Sequence, residues 1–281
     1  MNFEKEKTDA FGKLIEQAED IVLLGHFNPD GDAIGSTLGL YHYLADMGKK
    51  VCIIYPNECP AATMIYLDGI DYIIFSNGEK SARYRIKHAD LLICADFATY
   101  SRTCEQIEEY INKNDCPKIM IDHHENPEHN GLLFSDPHAS STCELVYKIL
   151  SSYDKTHITL SCATALYMGI CTDTGSFSHS CSRRDVFDVA ACLVEMGVDV
   201  AAIRRQVVDL STENRLRLLG YMLKDKLKVF PEKGAAYMAV SRKELRQYGF
   251  QKGSCLGYFE VTSRVGGIRR NRSRFRGGSG Y

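Results

Sequence analysis

The stretch Asp20-Ile-Val-Leu-Leu-Gly25-His26-Phe-Asn-Pro-Asp30-Gly-Asp32-Ala-Ile-Gly-Ser36 decides the fold. Its first part, residues 20–25, is a short apolar run ending in Gly, the pattern of a strand buried on both faces. Residues 32–48 then place Ile34, Leu38, Tyr41, Leu44 and Ala45 at helical spacing before a Gly stop. A strand, a polar loop and a helix make half of a βαβ unit. Working outward, the pattern repeats, with strands expected at 51–55, 71–75, 90–95 and 118–121. Helices are expected at 104–112 and 143–151, and residues 1–20 are charged and helix-like. Short strands alternating with helices predict an α/β domain, a parallel sheet covered by helices on both faces. From residue 160 the spacing turns mostly helical, at 160–171, 183–196, 200–210 and, as a connector, 212–227. A turn at 231–234, a strand at 235–240 and a capping box at 241–244 follow.

The composition bounds the function. The chain has 281 residues, with 34 Lys+Arg against 36 Asp+Glu. Five Arg and no acid fall in residues 269–281; the rest holds 29 basic and 36 acidic residues, a net charge of −7. An acidic body excludes a protein that coats long duplex nucleic acid. No apolar run approaches the roughly 20 residues of a membrane span, and no signal-peptide pattern opens the chain, so a cytoplasmic protein is expected. Eleven Cys without a Cys-x-x-Cys spacing read as reduced core residues rather than a disulfide or zinc framework.

The Asp and His residues gather where strands end. His26 and Asp30 follow the first strand and Asp32 opens the next helix. Asp96 closes the fourth strand, Asp122-His123-His124 the fifth, and Asp173 follows the 160–171 helix. In an open parallel sheet these carboxyl ends share one rim, where ligands bind. Any one of these residues alone reads as a helix cap or a surface group; together they read as a metal cluster. Carboxylate oxygen with neutral imidazole suits two divalent ions, Mn²⁺ best, with Mg²⁺, Co²⁺ or Fe²⁺ as alternatives. Such a pair needs a shared carboxylate and serves in-line displacement at phosphorus. Pro29 and Gly31 are expected to delay the helix, so that Asp30 and Asp32 reach different ions. Ser140, Ser141 and Thr142 precede a helix and are read either as a phosphate site or as a plain N-cap. Arg102 is a candidate phosphate contact, and His138, His179, Arg183 and Arg184 are candidate rim residues.

His26-Phe-Asn-Pro-Asp-Gly-Asp-Ala-Ile-Gly-Ser36, Asp96, Asp122-His-His124 and Gly169-Ile-Cys-Thr-Asp-Thr-Gly175 together resemble the four motifs of the DHH phosphoesterases, over about residues 10–250. Within them the first motif is similar to the oligoribonuclease and pAp-phosphatase branch, the nanoRNases. The resemblance implies a catalytic domain at 1–198, a helical linker at 199–228 and a small α+β substrate-binding domain at 229–281. It implies His26, Asp30 and Asp96 on one ion, and Asp32, Asp96, His123 and Asp173 on the other, with Asp96 bridging. His124 would contact the scissile phosphate or protonate the leaving group, and Asp122 would orient the histidines from behind. The implied reaction is hydrolysis of short oligoribonucleotides to 5′-mononucleotides, and of pAp to AMP, by a water activated between the two ions. Alternatives are a cyclic or linear dinucleotide (pApA-type) phosphodiesterase, and a nucleotide-binding protein of impaired turnover. The implied partners are short single-stranded RNA or small nucleotides, with no long duplex and no membrane; a homodimer is an open assembly.

The chain departs from that family at its end. The Gly-Gly-Gly-His loop expected in the second domain is replaced by Gly277-Gly-Ser-Gly-Tyr281, and the domain is shortened. A reading-frame change near residue 253, or a truncation, is expected ahead of a genuine short variant whose Arg tail holds phosphates.

Overall fold

The computed structural model describes residues 5–57, 67–76, 78, 80–128, 130–205 and 213–249. The chain divides into two units, Met1–Asp209 and Leu210–Tyr281. In chain order the first unit holds α1 (Lys5–Gln17), β1 (Asp20–Leu24), α2 (Gly31–Asp46), β2 (Lys50–Tyr55), β3 (Ile73–Phe75), α3 (Lys80–Lys87), β4 (Leu91–Ala95) and α4 (Glu105–Lys113). It continues with β5 (Lys118–Asp122), β6 (Leu132–Ser135), α5 (Thr142–Asp154), α6 (Leu160–Asp173), α7 (Arg184–Glu195) and α8 (Val200–Arg204). The strands form one parallel sheet of order β3-β2-β1-β4-β5-β6.

Strand alternation sends neighbouring side chains to opposite faces. On one face Ile21, Leu23, Leu91, Ile93, Ile119 and Ile121 join a large core with Phe11, Ile34, Leu38, Ile149, Leu166 and Leu193 from the helices. On the other, Val22, Leu24, Leu92, Cys94 and Met120 meet Ala82, Ile86, Ile107 and Ile111 of α3 and α4. Both faces are therefore apolar, which explains the unbroken apolar runs of β1, β4 and β5. The α/β reading with helices on both faces holds.

Some elements differ from the sequence reading. Residues 70–72 form a 3₁₀ turn, so β3 keeps only three residues. Two elements were not foreseen. Helix α3 is strongly charged and buries only Ala82 and Ile86, and β6 has just four residues. The helix expected at 200–210 is seen as α8, and residues 206–212 lie outside the described ones.

The second unit has α9 (Glu213–Tyr221) running into a π-helical turn (Met222–Lys226), an antiparallel pair β7 (Lys228–Phe230) and β8 (Ala235–Tyr237), and α10 (Arg242–Gln247). The turn between β7 and β8 closes on Gly234 at φ 55°, the left-handed region that Gly adopts freely. The capping box at α10 is present: Ser241 Oγ accepts from the Glu244 amide, and the Glu244 carboxylate accepts from the Ser241 amide. Leu218 and Met222 pack with Met238, Val240, Leu245 and Tyr248. The strand expected to 240 stops at Tyr237. The Arg-rich tail lies outside the described residues. The nine described Cys are all free thiols. Among the described residues no helix is long and apolar enough to cross a membrane.

Candidate metal centre

The strand order reverses between β1 and β4, and the crevice at such a switch point opens at the strands' carboxyl ends. β1 leads into His26 and Asp30, β4 into Asp96, and β5 ends on Asp122 followed by His123 and His124. Asp96 turns out of β4 at φ 66°, a left-handed backbone uncommon outside Gly. Its amide donates to the Ile121 carbonyl at 3.0 Å, which pins the turn to β5. Asp173 is the last residue of α6 rather than a residue beyond it.

Asp30, not Asp32, caps α2; its Oδ1 accepts from the Asp32 and Ala33 amides, both at 3.1 Å. Gly31 does not delay the helix as expected, because it is the first residue of α2. Its role is close approach: a Cβ there would lie 2.3 Å from Thr172 Oγ1 on α6. One turn on, a Cβ at Gly35 would lie 2.6 Å from the Ala165 carbonyl oxygen and 3.0 Å from Gly169 Cα. Glycines thus let α2 and α6 touch backbone to backbone, which brings Asp32 and Asp173 to the same point.

Three sets of side chains place their ligand atoms within 4.8 Å of one another: His26, Asp30 and Asp96; Asp32, His123 and Asp173; and Asp96, His123 and His124. His26 Nε2 stands 3.6 Å from Asp96 Oδ2 and 4.0 Å from Asp30 Oδ1. His123 Nε2 stands 3.3 Å from Asp173 Oδ2, 3.7 Å from Asp96 Oδ1 and 3.8 Å from Asp32 Oδ2. Atoms about 2.1 Å from a common ion stand about 3 Å apart in an octahedral shell, so this spacing is close to that of a ligand set. His26 Nδ1–H donates to the Phe27 carbonyl at 2.9 Å, leaving the Nε2 lone pair for an ion.

The charges also fit cations. Asp32 and Asp96 are buried, and among the described residues no Lys or Arg pairs with them or with Asp173. Burial pushes all three carboxyls up; crowding by Asp32, Asp30 and Asp173 adds to this at Asp96, and Asp173 reaches about 9. A carboxylate cluster so destabilised lacks positive charge, which two divalent ions would supply.

His124 is held differently. Its Nδ1–H donates to Asp122 Oδ1 at 2.7 Å, and this bond raises the imidazole above its usual range. Asp122 bonds His124 alone of the two histidines, not both as expected. Arg102 is exposed in a 3₁₀ turn whose last carbonyl accepts from the Phe27 amide at 2.8 Å, and its charge acts on His124. The three hydroxyl residues differ from the phosphate reading. Ser140, Ser141 and Thr142 are buried. Ser141 is the N-cap of α5, accepting from the Glu144 amide. The Thr142 and Cys143 amides donate to Asp32 Oδ2 and Oδ1 at 2.6 and 2.9 Å, so the free helix end is taken by a carboxylate of the protein itself. Arg183 pairs with Asp136 and Asp185, and Arg184 with Asp188.

A family model described as the DHH family, N-terminal domain, matches residues 20–170. A probable bifunctional oligoribonuclease and PAP phosphatase NrnA of Streptococcus mutans is 27% identical over 237 residues, 83% of this chain and 70% of that protein. The cyclic-di-AMP phosphodiesterase GdpP of Bacillus subtilis is 29% identical over 208 residues, 70% of this chain but 31% of that protein. Among solved structures, an exopolyphosphatase-related protein from Bacteroides fragilis is similar at a TM-score of 0.90 and 32% identity, over 94% of this chain and 78% of that one.

Proposed function

The chain belongs to the DHH family of phosphoesterases, and on that premise we propose that it hydrolyses short oligoribonucleotides to 5′-mononucleotides, with pAp to AMP as a second activity. The observation that carries this reading is the convergence of His26, Asp30 and Asp96 with Asp32, His123 and Asp173 on one strand-end crevice. Two divalent ions, Mn²⁺ first among them, would supply positive charge to the reacting phosphate and make water acidic enough to ionise near neutral pH. Asp96 spans the two groups, one oxygen toward His26 and the other toward His123. His26 and His123 offer Nε2, and the carboxylates of Asp30, Asp32 and Asp173 complete the two sets. His124 keeps its proton on Nδ1 for Asp122 and presents Nε2 to the leaving oxygen as acid. Arg102 binds a non-reacting phosphate oxygen. The acidic body disfavours long duplexes and leaves chain ends and small nucleotides as substrates.

The likeness to the cyclic-di-AMP phosphodiesterase favours a second reading, hydrolysis of cyclic di-AMP or of linear pApA. One assay separates them: metal-stripped protein reloaded with Mn²⁺, given labelled di- to pentaribonucleotides, pAp, pApA and cyclic di-AMP. The first reading expects mononucleotide release from the ribonucleotide series and AMP from pAp. Turnover of cyclic di-AMP or pApA alone replaces it with the second. No hydrolysis with any divalent ion, or hydrolysis that survives Asp96→Asn, overturns both.

A further inference from the structure

Thr142 is bonded to two of the carboxylates at the centre, although they lie 110 and 46 residues away in sequence. Its amide donates to Asp32 Oδ2 at 2.6 Å, and its hydroxyl donates to Asp96 Oδ1 at 2.9 Å. The hydroxyl thereby settles which oxygen of Asp96 faces which histidine. Oδ1 is held on the side of His123, 3.7 Å away, and Oδ2 is turned to His26, 3.6 Å away. Among the described residues no Lys or Arg grips this carboxylate, and the Thr142 hydroxyl is the group that hydrogen-bonds it. Thr142 is itself immobile: it is fully buried as the first residue of α5, behind the Ser141 cap.

We propose that Thr142 is a positioning residue for the bridging carboxylate: its hydroxyl sets the plane of Asp96 while its amide anchors Asp32, so that one residue aligns both ion sites. This rests on the metal-centre reading above. It gives Thr142 a role toward ions and not toward substrate phosphate. Partners of this kind, which orient a ligand from behind, typically change metal affinity about 10–100-fold when removed.

The test is Mn²⁺ titration of the metal-stripped full chain, followed by calorimetry and by loss of the free-Mn²⁺ EPR signal, with melting temperatures recorded alongside. Thr142→Val keeps the shape and removes the hydroxyl; Thr142→Ser keeps the hydroxyl and removes the methyl. Thr159→Ala removes the cap of α6, where the Thr159 hydroxyl accepts from the Cys162 amide at 3.2 Å, and touches no carboxylate of the centre. The expected result is Mn²⁺ affinity about 10–100-fold weaker in Thr142→Val, near wild type in Thr142→Ser, and unchanged in Thr159→Ala despite a lower melting temperature. A Thr142→Val isotherm equal to wild type overturns the proposal, as does equal weakening in Thr142→Ser and Thr142→Val. A wild-type protein that takes up no Mn²⁺ overturns instead the reading on which the proposal stands, which keeps the two failures apart.

Discussion

Asp90 and Asp96 flank the same strand, β4, and meet opposite environments. Asp90, at the amino edge of the sheet, is exposed and accepts from the amides of Glu19 and Asp20 at 3.1 and 2.9 Å. Those bonds hold its carboxyl below the usual range. Asp96, at the carboxyl edge, is buried among Asp32, Asp30 and Asp173, and burial drives its carboxyl well up. Other charged groups at the amino edge also find local backbone partners; Lys118 Nζ, for one, donates to the carbonyls of Asn114 and Cys116. At the carboxyl edge Asp30 and Asp32 also accept amides, but there the acids additionally face one another, with Asp96 crowded by Asp32, Asp30 and Asp173. An acid whose needs are met by its own backbone stabilises the fold. Acids that crowd one another cost stability until something cationic joins them, and that is the mark of a site.

Asp96→Asn breaks the contrast most directly. Loss of the shared carboxylate is expected to lower hydrolysis by at least about 10²–10³-fold, the scale of removing one group that stabilises transition-state charge. The metal-free variant is expected to melt no lower than metal-free wild type, because a neutral amide replaces a carboxyl whose ionised form burial and its acidic neighbours disfavour. Steady-state rates with Mn²⁺ and melting curves in chelator check the two halves. A variant that is inactive and also strongly destabilised would mean that Asp96 is needed by the fold itself and not by the centre.

Next in size is Gly35→Ala, which tests whether close helix contact builds the carboxyl edge. The new Cβ meets the Ala165 carbonyl at 2.6 Å, and backbone cannot yield as a side chain can. Overpacking of this kind costs roughly 1–3 kcal/mol. Forcing α2 from α6 also separates Asp32 from Asp173. Denaturant unfolding should show the lost stability and Mn²⁺ titration the weaker binding; lost stability with unchanged binding would detach the helix contact from the centre.

The two edges differ as well in how far they could be read from sequence. The apolar runs of β1, β4 and β5 announce strands because both faces are covered, and the acids and histidines at their ends stand out against those runs. Helix α3 is nearly silent, since it buries only two side chains and shows a charged face. β6 is too short to display a period. Thr142 could be suspected only as a cap or a phosphate contact, because its true partners, Asp32 and Asp96, become neighbours only once α5 is packed on the sheet. The same holds for Gly31, whose reason is a side chain on α6. Local chemistry is legible in one dimension; who fills a close approach is not.

A pH series sharpens the comparison with less perturbation. In the metal-free protein Asp173 has a carboxyl raised from 3.8 to about 9, and Asp32 and Asp96 are raised in the same direction. A carboxyl raised in the folded state binds its proton more tightly there than in the unfolded chain. Its stabilising contribution is complete below the unfolded value of 3.8 and is lost as pH rises toward about 9. Metal-free protein should therefore melt progressively lower from pH 5 to pH 8, and Asp173→Asn should flatten that slope. Saturating Mn²⁺ should reverse it, since ions favour the ionised carboxylates. A slope unchanged by Asp173→Asn would place the raised group elsewhere.

The smallest effect belongs to the opposite edge. Asp90→Ala removes an acceptor from two amides that can turn to water, so the expected loss is below about 1 kcal/mol. The sign of its pH dependence is the reverse of that at the centre. A carboxyl depressed in the folded state contributes stability that is present above its unfolded value of 3.8 and lost as pH falls below it. Wild type and Asp90→Ala should thus differ slightly at neutral pH and converge in acid, with Mn²⁺ affinity and turnover the same in both. If Asp90→Ala weakens Mn²⁺ binding, the strand transmits strain from one end to the other, and the two aspartates are not the independent groups that their separate partners make them.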